Sequence, residues 1–474
     1  MKSSHSFCMH AAALFFLAAS MAQGQSRPPN VVLIMADDLG RGHCGCYGQT
    51  KIRTPRIDKL AAEGMKFTDF YAGANVCAPS RSVLMTGLHT GHTAVRNNGL
   101  LRHLYDEDVT VAEVMKQAGY ATGGFGKWGL GLPQTPGVAV KQGFDTWCGQ
   151  YSQTHAHFYY PYFVMKDLER LPIPENEGKK RGRYVQDVIH EQALAFIEAN
   201  KDRPFFAYLP YIMPHVELVA PPAALAEYAG KFPKIAKADG RKGYLGSEDA
   251  YAEFAAMVTY LDKLVGEVLD KLQKLGLAEN TIVIFTSDNG PQPGSWSDIF
   301  VEFFDGNGPF RGAKTNFYEG GIRVPLLVRW PGKIKAGSTS EFVGYFADML
   351  PTVADLAGAG SRVPKQLDGI SFAPTLLGQP EKQAKHEYLY WEAAGPMQNT
   401  VQQAVRWGNW KAVKNRGADA FELYDLASDI AESKNVAAQQ PEVMKKIDAI
   451  CKEAHAPERV YGPGPPEAAA DYVR

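Results

Sequence analysis

Residues 30–38, NVVLIMADD, carry the pattern that indicates the fold class of this chain. The apolar run of this stretch has no polar alternation, as in a strand of a parallel sheet that helices cover on both faces. Further apolar runs at residues 120–125, 204–211, 281–285 and 324–328 alternate with helical patterns. The alternation predicts an α/β fold, with a mostly parallel central sheet flanked by helices.

Helix signals flank these runs. Thr54, Pro55 and Gly64 predict the N-cap, the first position and the end of one helix. Ser247 is the predicted cap of a long amphipathic helix whose apolar stripe includes Leu261 and Leu272. The long amphipathic helix is expected to be core scaffold, not a site.

Composition changes after about residue 377. Residues 386–391, 403–407, 410–414 and 421–425 alternate like short strands, and residues 441–454 have a helical pattern. We therefore predict a main domain at residues 26–377 and a smaller C-terminal α+β subdomain with an antiparallel sheet at residues 378–474.

The N-terminus predicts export. Lys2 precedes an apolar run at residues 11–19 and small residues at 22–25, as in a signal peptide spanning residues 1–25. This run is too short for a membrane helix, and no other stretch is long enough. A net charge of -1 gives the chain no overall electrostatic field that would attract nucleic acid or an anionic membrane. We expect a secreted or periplasmic protein with neither nucleic-acid partner nor transmembrane segment.

The number of cysteines suggests that one thiol has a function other than forming a disulfide. Cys8 belongs to the predicted signal peptide, which leaves Cys44, Cys46, Cys77, Cys148 and Cys451, an odd number for an exported protein. Cys44 and Cys46 are spaced too closely for the usual zinc ligand pair. Several of these residues are otherwise expected to be buried thiols.

Two polar pairs follow predicted strands: Asp37 with Asp38, and Asp288 with Asn289. Each pair alone is compatible with a helix cap or a turn. Ligands in α/β sheets bind beyond the carboxyl ends of strands, where such residues converge. An oxygen-only set favours Ca²⁺ or Mg²⁺ over zinc.

Residues 77–81, Cys-Ala-Pro-Ser-Arg, predict a helix that begins at or just after Cys77, because proline is suited to a first turn. A helix start favours an anion nearby. The Cys-x5-Arg spacing of thiolate phosphatases is absent. The alternative is a buried thiol beside an ordinary helix.

These residues resemble the Cys-x-Pro-Ser-Arg signature of the type I, formylglycine-dependent sulfatases, which are arylsulfatase-like members of the alkaline phosphatase superfamily. Other motifs follow in the family's order, including Gly126-Lys127-Trp128, Pro214-His215, Arg311-Gly-Ala-Lys314 and the 318–325 segment. The resemblance implies an alkaline phosphatase-like fold and a sulfuric ester hydrolase. It also implies a formylglycine-generating enzyme as a partner that oxidises Cys77 during biogenesis.

The resemblance also implies roles for single residues. Calcium, with magnesium the weaker alternative, would bind Asp37, Asp38, Asp288, Asn289 and the residue made from Cys77. Arg81, Lys127 and Lys314 would neutralise sulfate, and His215 would protonate the leaving alcohol. One hydroxyl of the hydrated aldehyde would attack sulfur, and deprotonation of the other would expel sulfate.

The chain departs from the family at Gly129, where a histidine often stands and helps to deprotonate the second hydroxyl. We predict that His155 or His157 supplies this function or contacts substrate. The alternative is that both are surface histidines of the loop.

The predicted function is hydrolysis of a sulfate ester, on a carbohydrate, since the segment 151–162 is rich in aromatic residues and histidine. One alternative is a phosphodiesterase or phosphonate hydrolase of the same superfamily. Another is a noncatalytic glycan-binding protein in which Cys77 stays unconverted, which the combined presence of Lys127, His215 and Lys314 disfavours.

Overall fold

A computed structural model describes residues 27–99, 102–235, 247–292, 298–394 and 401–459. The predicted signal peptide lies outside these residues. Within the described part, no helix combines the length and the apolar character needed to cross a bilayer.

The strands, numbered along the chain, are β1 (Asn30–Ala36), β2 (Met65–Phe67), β3 (Phe70–Tyr71), β4 (Ala121–Lys127), β5 (Thr146–Gln150), β6 (Phe163–Lys166), β7 (Glu169–Pro172), β8 (Phe205–Pro210), β9 (Thr281–Ser287), β10 (Leu326–Arg329), β11 (Ser338–Ser340), β12 (Gly344–Tyr345), β13 (Leu389–Ala394), β14 (Val401–Trp407), β15 (Trp410–Lys414) and β16 (Glu422–Asp425). The helices are α1 (Pro55–Glu63), α2 (Cys77–Thr86), α3 (Val111–Gln117), α4 (Val185–Ala199), α5 (Pro222–Leu225), α6 (Ala250–Lys274), α7 (Asp298–Phe304), α8 (Glu319–Ile322), α9 (Met349–Leu356), α10 (Ala373–Leu376) and α11 (Pro441–Ala454).

The main sheet has the strand order β11-β2-β10-β9-β1-β8-β4-β5-β6-β7. Its centre, from β9 to β5, is parallel throughout. Antiparallel pairs occur towards both edges, at β10 with β9 and at β5 with β6. The predicted α/β class with a mostly parallel centre is confirmed.

Strand β1 is buried on both faces because its side chains alternate between two hydrophobic cores. Val31, Leu33 and Met35 belong to one core, which also receives Val83 of α2. Val32, Ile34 and Ala36 belong to the other, which contains the apolar stripe of α6. This two-sided burial is why the run has no polar alternation.

The predicted positions of Thr54, Pro55 and Gly64 at the ends of α1 are confirmed, whereas the predicted cap of α6 is wrong. Thr54 precedes α1 but makes no capping hydrogen bond to it; instead Asp262 of α6 accepts from the backbone N–H groups of Arg56 and Ile57 at 2.9 and 2.7 Å. Helix α6 begins at Ala250, so Ser247 lies before it and accepts from the N–H of Asp249 at 3.1 Å. In the first case a carboxylate from another helix replaces the local cap.

The small sheet β13-β14-β15-β16 is antiparallel, as predicted. Its core with α11 includes Val405, Leu423 and Ile450. The sheet packs against the loop before α2, where Trp391 Nε1 donates to the carbonyl of Ala72 at 2.9 Å. A domain boundary at residue 377 remains our proposal.

Candidate active site

Parallel strands β9, β1, β8 and β4 are neighbours and end at one edge of the sheet. Asp288 and Asn289 follow β9, Asp37 and Asp38 follow β1, and Lys127 is the last residue of β4. Residues that are far apart in the chain therefore form one buried cluster, and none of these five side chains is exposed beyond 1%.

Helix α2 contributes Cys77 and Arg81 to this cluster. They lie four residues apart, hence on one helix face. Cys77 Sγ lies 3.5 Å from Asp37 Oδ1. Arg81 donates from Nε and Nη2 to Asp288 Oδ2 at 3.0 and 2.7 Å. Its third contact, from Nη1 to the carbonyl of Lys127 at 2.6 Å, ties α2 to the end of β4.

Each carboxylate of the Asp37–Asp38 pair has an ammonium partner. Lys127 Nζ lies 2.7 Å from Asp37 Oδ2, and Lys314 Nζ lies 2.8 Å from Asp38 Oδ2. Asn289 Nδ2 donates to Asp38 Oδ1 at 2.6 Å. Asp38 adopts a left-handed backbone with a φ of 64°, and its N–H donates to Asp288 Oδ1 at 3.2 Å. The strained conformation is thus held at the centre of the cluster.

The protonation states follow from burial and these contacts. Burial alone would raise the pKa of Asp37, but Lys127 and the other nearby cations hold it well below its usual range. Burial and then Asp37 raise the pKa of Asp288 to about 6. Burial and Asp37 also raise the pKa of the Cys77 thiol to about 12, so an unmodified Cys77 is not a thiolate nucleophile.

The cluster fits a hard divalent cation. Asn289 Oδ1 is buried and has no hydrogen-bond partner among the described residues, so it is free to be a ligand. Ligand atoms of Asp37, Asp38, Cys77 and His215 lie within 4.8 Å of one another. Carboxylate and amide oxygens are the donors that Ca²⁺ and Mg²⁺ prefer. Asp37, Asp38, Asp288 and Asn289 could together supply such oxygens.

His215 lies at the edge of the cluster beyond β8. Its Nδ1 lies 2.7 Å from the carbonyl of Val216, which leaves Nε2 facing the site, 3.4 Å from Asp38 Oδ2. Burial lowers its pKa to about 4. A ring in this position can exchange a proton with a group bound above the carboxylates.

The two predicted loop histidines have different surroundings. The His157 ring stacks on His215, with centroids 4.4 Å apart, and the charges of Lys127 and Lys314 contribute to lowering its pKa, after burial and His215. His155 is fully buried against Phe163, with ring centroids 4.7 Å apart, and no hydrogen bond or ring contact among the described residues joins it to the cluster. The geometry favours His157 over His155 for a role at the site.

Two polar side chains at the site were not singled out from the sequence. Gln292 Oε1 accepts from Lys314 Nζ at 3.2 Å. Ser80 accepts from the N–H of Gly73 at 3.0 Å and donates to the carbonyl of Asp288. Ser80 lies inside the 77–81 motif, which was its only signal, whereas nothing in the sequence pattern marks Gln292.

A second group, His89, His92 and Asp368, also brings potential metal ligands together. His89 Nδ1 accepts from the N–H of Gly91 at 3.1 Å, so the ring proton of the neutral form is on Nε2, facing Asp368 at 3.6 Å. Asp368 also accepts from the N–H of His89 at 2.8 Å. These bonds make the group a structural link that holds the loop after α2.

The family model for sulfatases matches residues 29–359. A second model, described as the C-terminal part of N-sulphoglucosamine sulphohydrolase, matches residues 312–456. The chain is 33% identical to human arylsulfatase A over 92% of this chain and 89% of that protein. It is 29% identical to an N-acetylgalactosamine-6-O-sulfatase of Bacteroides thetaiotaomicron, over 90% and 93% of the two chains.

Among solved structures, Ps i-CgsB in complex with k-i-k-neocarrahexaose aligns with a TM-score of 0.75 and 25% identity, covering 90% of this chain and 93% of that chain. The two family models together extend over the main sheet and the small C-terminal sheet, and the sulfatase model covers the strand ends and α2, from which the cluster is built. This chain belongs to the sulfatase family of sulfuric ester hydrolases.

Proposed function

We propose that this protein hydrolyses a sulfate ester of a carbohydrate. In this proposal Cys77 is converted to formylglycine, and a calcium ion is held by Asp37, Asp38, Asp288, Asn289 and residue 77. The observation that carries the proposal is the position of Cys77, buried at a helix start beside a cluster in which carboxylates and cations alternate.

Charge balance supports an anionic substrate. The carboxylates of Asp37, Asp38 and Asp288 are matched by the cations of Arg81, Lys127 and Lys314. A divalent cation would make the cluster net positive, which favours a sulfate group with its single negative charge. Calcium is favoured over magnesium because the proposed ligands are all protein groups, whereas magnesium usually keeps several waters.

Different side chains would contribute to different steps of sulfuryl transfer. Lys127 and Lys314 lie on either side of the carboxylate pair and would neutralise sulfate oxygens. His215 points an unprotonated Nε2 into the site, so it would first take up a proton there and then deliver it to the leaving alcohol. The hydrated formylglycine supplies the attacking hydroxyl, together with a second hydroxyl whose deprotonation releases sulfate and restores the aldehyde. Calcium, when bound, stabilises the negative charge on the oxygens of residue 77 and sulfate.

Burial of Cys77 also supports the timing of its modification. The side chain is 1% exposed and starts a helix whose residues are all buried. A formylglycine-generating enzyme could not reach it in the folded chain. We therefore propose that the conversion precedes folding, at or before export to a secreted or periplasmic location.

A carbohydrate substrate is supported by the relatives. One similar protein is named for N-acetylgalactosamine-6-O-sulfate, and a similar structure contains a neocarrahexaose.

The test is expression together with a formylglycine-generating enzyme, followed by mass spectrometry of the peptide containing Cys77. Sulfate release from nitrophenyl sulfate and from sulfated monosaccharides is then compared with hydrolysis of an aryl phosphodiester. Cys77→Ala is the control for adventitious hydrolysis. Formylglycine with faster release of sulfate supports the proposal. Faster hydrolysis of the phosphodiester, or glycan binding by a protein that stays a thiol, would overturn it.

A further inference from the structure

Gln153 occupies the space where a side chain at position 129 would project. Gly129 has a φ of 77°, in the left-handed region, and a Cβ built there would lie 2.0 Å from Gln153 Nε2. The left-handed backbone favours glycine at position 129, and the carboxamide of Gln153 takes up the space beside it. Gly129 follows Lys127 by two residues, which places this pair beside the cluster.

The carboxamide of Gln153 lacks the partners that buried amides normally have. Both Nε2 and Oε1 are shielded from solvent, and neither has a hydrogen-bond partner among the described residues. A donor and an acceptor left unpaired in this way are costly, and such groups are uncommon in folded proteins. The amide is therefore suited to a ligand.

A small cleft opens beside this amide. It has a volume of about 10 Å³ and is lined by Gly99, Arg102, Gly129, Tyr151, Ser152 and Gln153, with Gly131 and Leu132 completing it. That is about the space of one water-sized group. The cleft lies next to the start of α2, because Asn98, adjacent to Gly99, accepts from the N–H of Ala78 at 2.9 Å.

The chemistry of the amide selects its ligand. Sulfate oxygens only accept hydrogen bonds and would leave Oε1 unpaired, whereas a hydroxyl both donates and accepts. We infer that Gln153 is a specificity residue that binds a hydroxyl group of a carbohydrate next to the sulfate ester. This inference rests on the proposed function and adds a contact that distinguishes sugar sulfates from aryl sulfates.

The same chemistry separates Gln153 from the histidine that the family often has at position 129. A carboxamide does not take up a proton near neutral pH, so Gln153 cannot act as a base. Gln153 fills the space that the histidine side chain would occupy, and it contributes to recognition of the substrate.

The test compares Gln153→Ala and Gln153→Met with the converted wild-type enzyme. Methionine keeps the length over Gly129 and removes both polar atoms. Gln117→Ala, at an exposed position of α3, is the matched control. kcat/KM is measured for nitrophenyl sulfate and for a panel of monosulfated N-acetylgalactosamine, N-acetylglucosamine and galactose, and melting temperature is measured for every variant.

We expect both Gln153 variants to lose about tenfold in kcat/KM on the sugar sulfate that the wild type hydrolyses best, in line with the loss of two neutral hydrogen bonds. On nitrophenyl sulfate they should stay within about twofold, because that substrate has no hydroxyl to bind. Gln153→Met should melt at or above the wild-type temperature, since it removes unpaired polar atoms. If Gln153 had a purely structural role, the variants would instead have a lower melting temperature and lower activity on both the sugar sulfate and nitrophenyl sulfate.

Equal losses on both substrate classes would overturn the inference and assign Gln153 to the nucleophile or sulfate. Unchanged activity on the sugar, or a wild type that hydrolyses nitrophenyl sulfate but none of the sugars, would overturn it as well. When only the Gln153 variants give an unexpected result, the wild type still hydrolyses sugar sulfates and the proposed function survives. A converted wild type that hydrolyses none of the sugar sulfates would contradict the proposed carbohydrate substrate, and one that releases sulfate from no substrate would contradict the proposed function as a whole.

Discussion

Lys127 Nζ lies 2.7 Å from Asp37 Oδ2, and neither side chain is exposed. The pair joins the end of β4 to the end of β1 and lies within reach of Cys77. Since both charges are out of water, each depends on the other for stability. Because the two residues are far apart in the chain, no local sequence pattern predicts this contact.

Lys127→Met should therefore be strongly destabilising as well as inactive. Loss of the ammonium leaves Asp37 with one cation fewer, which costs on the order of 3–5 kcal/mol for a buried pair. Lys116→Met removes an exposed ion pair with Asp145 of similar length, 2.8 Å, and should cost at most about 1 kcal/mol. Urea unfolding of the two variants measures the difference, and equal costs would contradict it.

Asn289 should be essential for metal binding. Asn289→Leu removes the unpaired oxygen, and we expect calcium affinity measured by calorimetry to fall by at least about tenfold, the equivalent of 1.4 kcal/mol. Asn289→Asp keeps an oxygen at the same place and should retain binding. Calcium at a hundredfold excess over Kd should stabilise the wild type against unfolding by about 2.7 kcal/mol, and a chelator should reverse this. A leucine variant that binds as the wild type does would remove Asn289 from the ligand set.

Cys77→Ser should accept sulfate once and then stop. A serine hydroxyl can form the sulfate ester but has no second hydroxyl on the same carbon to expel it. Intact-protein mass spectrometry after incubation with nitrophenyl sulfate should find one sulfate added per chain, without continued product release. Repeated turnover by this variant would contradict the proposed role of residue 77.

His157 should matter for turnover through His215. The two rings stack with centroids 4.4 Å apart, so His157 holds the ring that faces the site. We expect His157→Ala to lower kcat by about 10²-fold, the scale of a displaced acid or base, and to alter the pH profile. His155→Phe is the comparison, and it should keep kcat close to that of the wild type. A large loss for His155→Phe with none for His157→Ala would reverse this assignment.

The free energy of unfolding should decrease in acid, because the buried histidines are neutral in the folded protein and take up protons when the chain unfolds. Burial lowers the pKa of His155 to about 4 and of His43 to about 3. Between those values and about 6.5, the unfolded chain binds more protons than the folded chain, so the free energy of unfolding decreases as pH falls through this window. His155 should account for roughly 3 kcal/mol of the decrease.

Urea unfolding between pH 7 and pH 4 measures this decrease. His155→Phe keeps an aromatic ring against Phe163, and it should give a shallower dependence on pH than the wild type. An unchanged slope in the phenylalanine variant would show that His155 is not one of the groups responsible.

Strand β1, the motif that begins α2 and the α/β class could all be predicted from local sequence patterns. These features are local, since two-sided burial excludes polar alternation and proline suits a helix start. Helix α11 even has the predicted bounds, Pro441–Ala454. The polar residues at strand ends could also be found, because parallel strands place such residues at one edge of the sheet.

Which of these residues contact each other could be seen only in the folded protein. The strand order places Lys127 on Asp37, and the arrangement of the connecting loops places Lys314 on Asp38 and His157, but not His155, on His215. The tertiary structure also places Asp262 at the start of α1 and Gln153 over Gly129. Local patterns record burial and backbone preference, whereas contacts between distant segments depend on how the strands and loops are arranged in space, which no short stretch of sequence specifies.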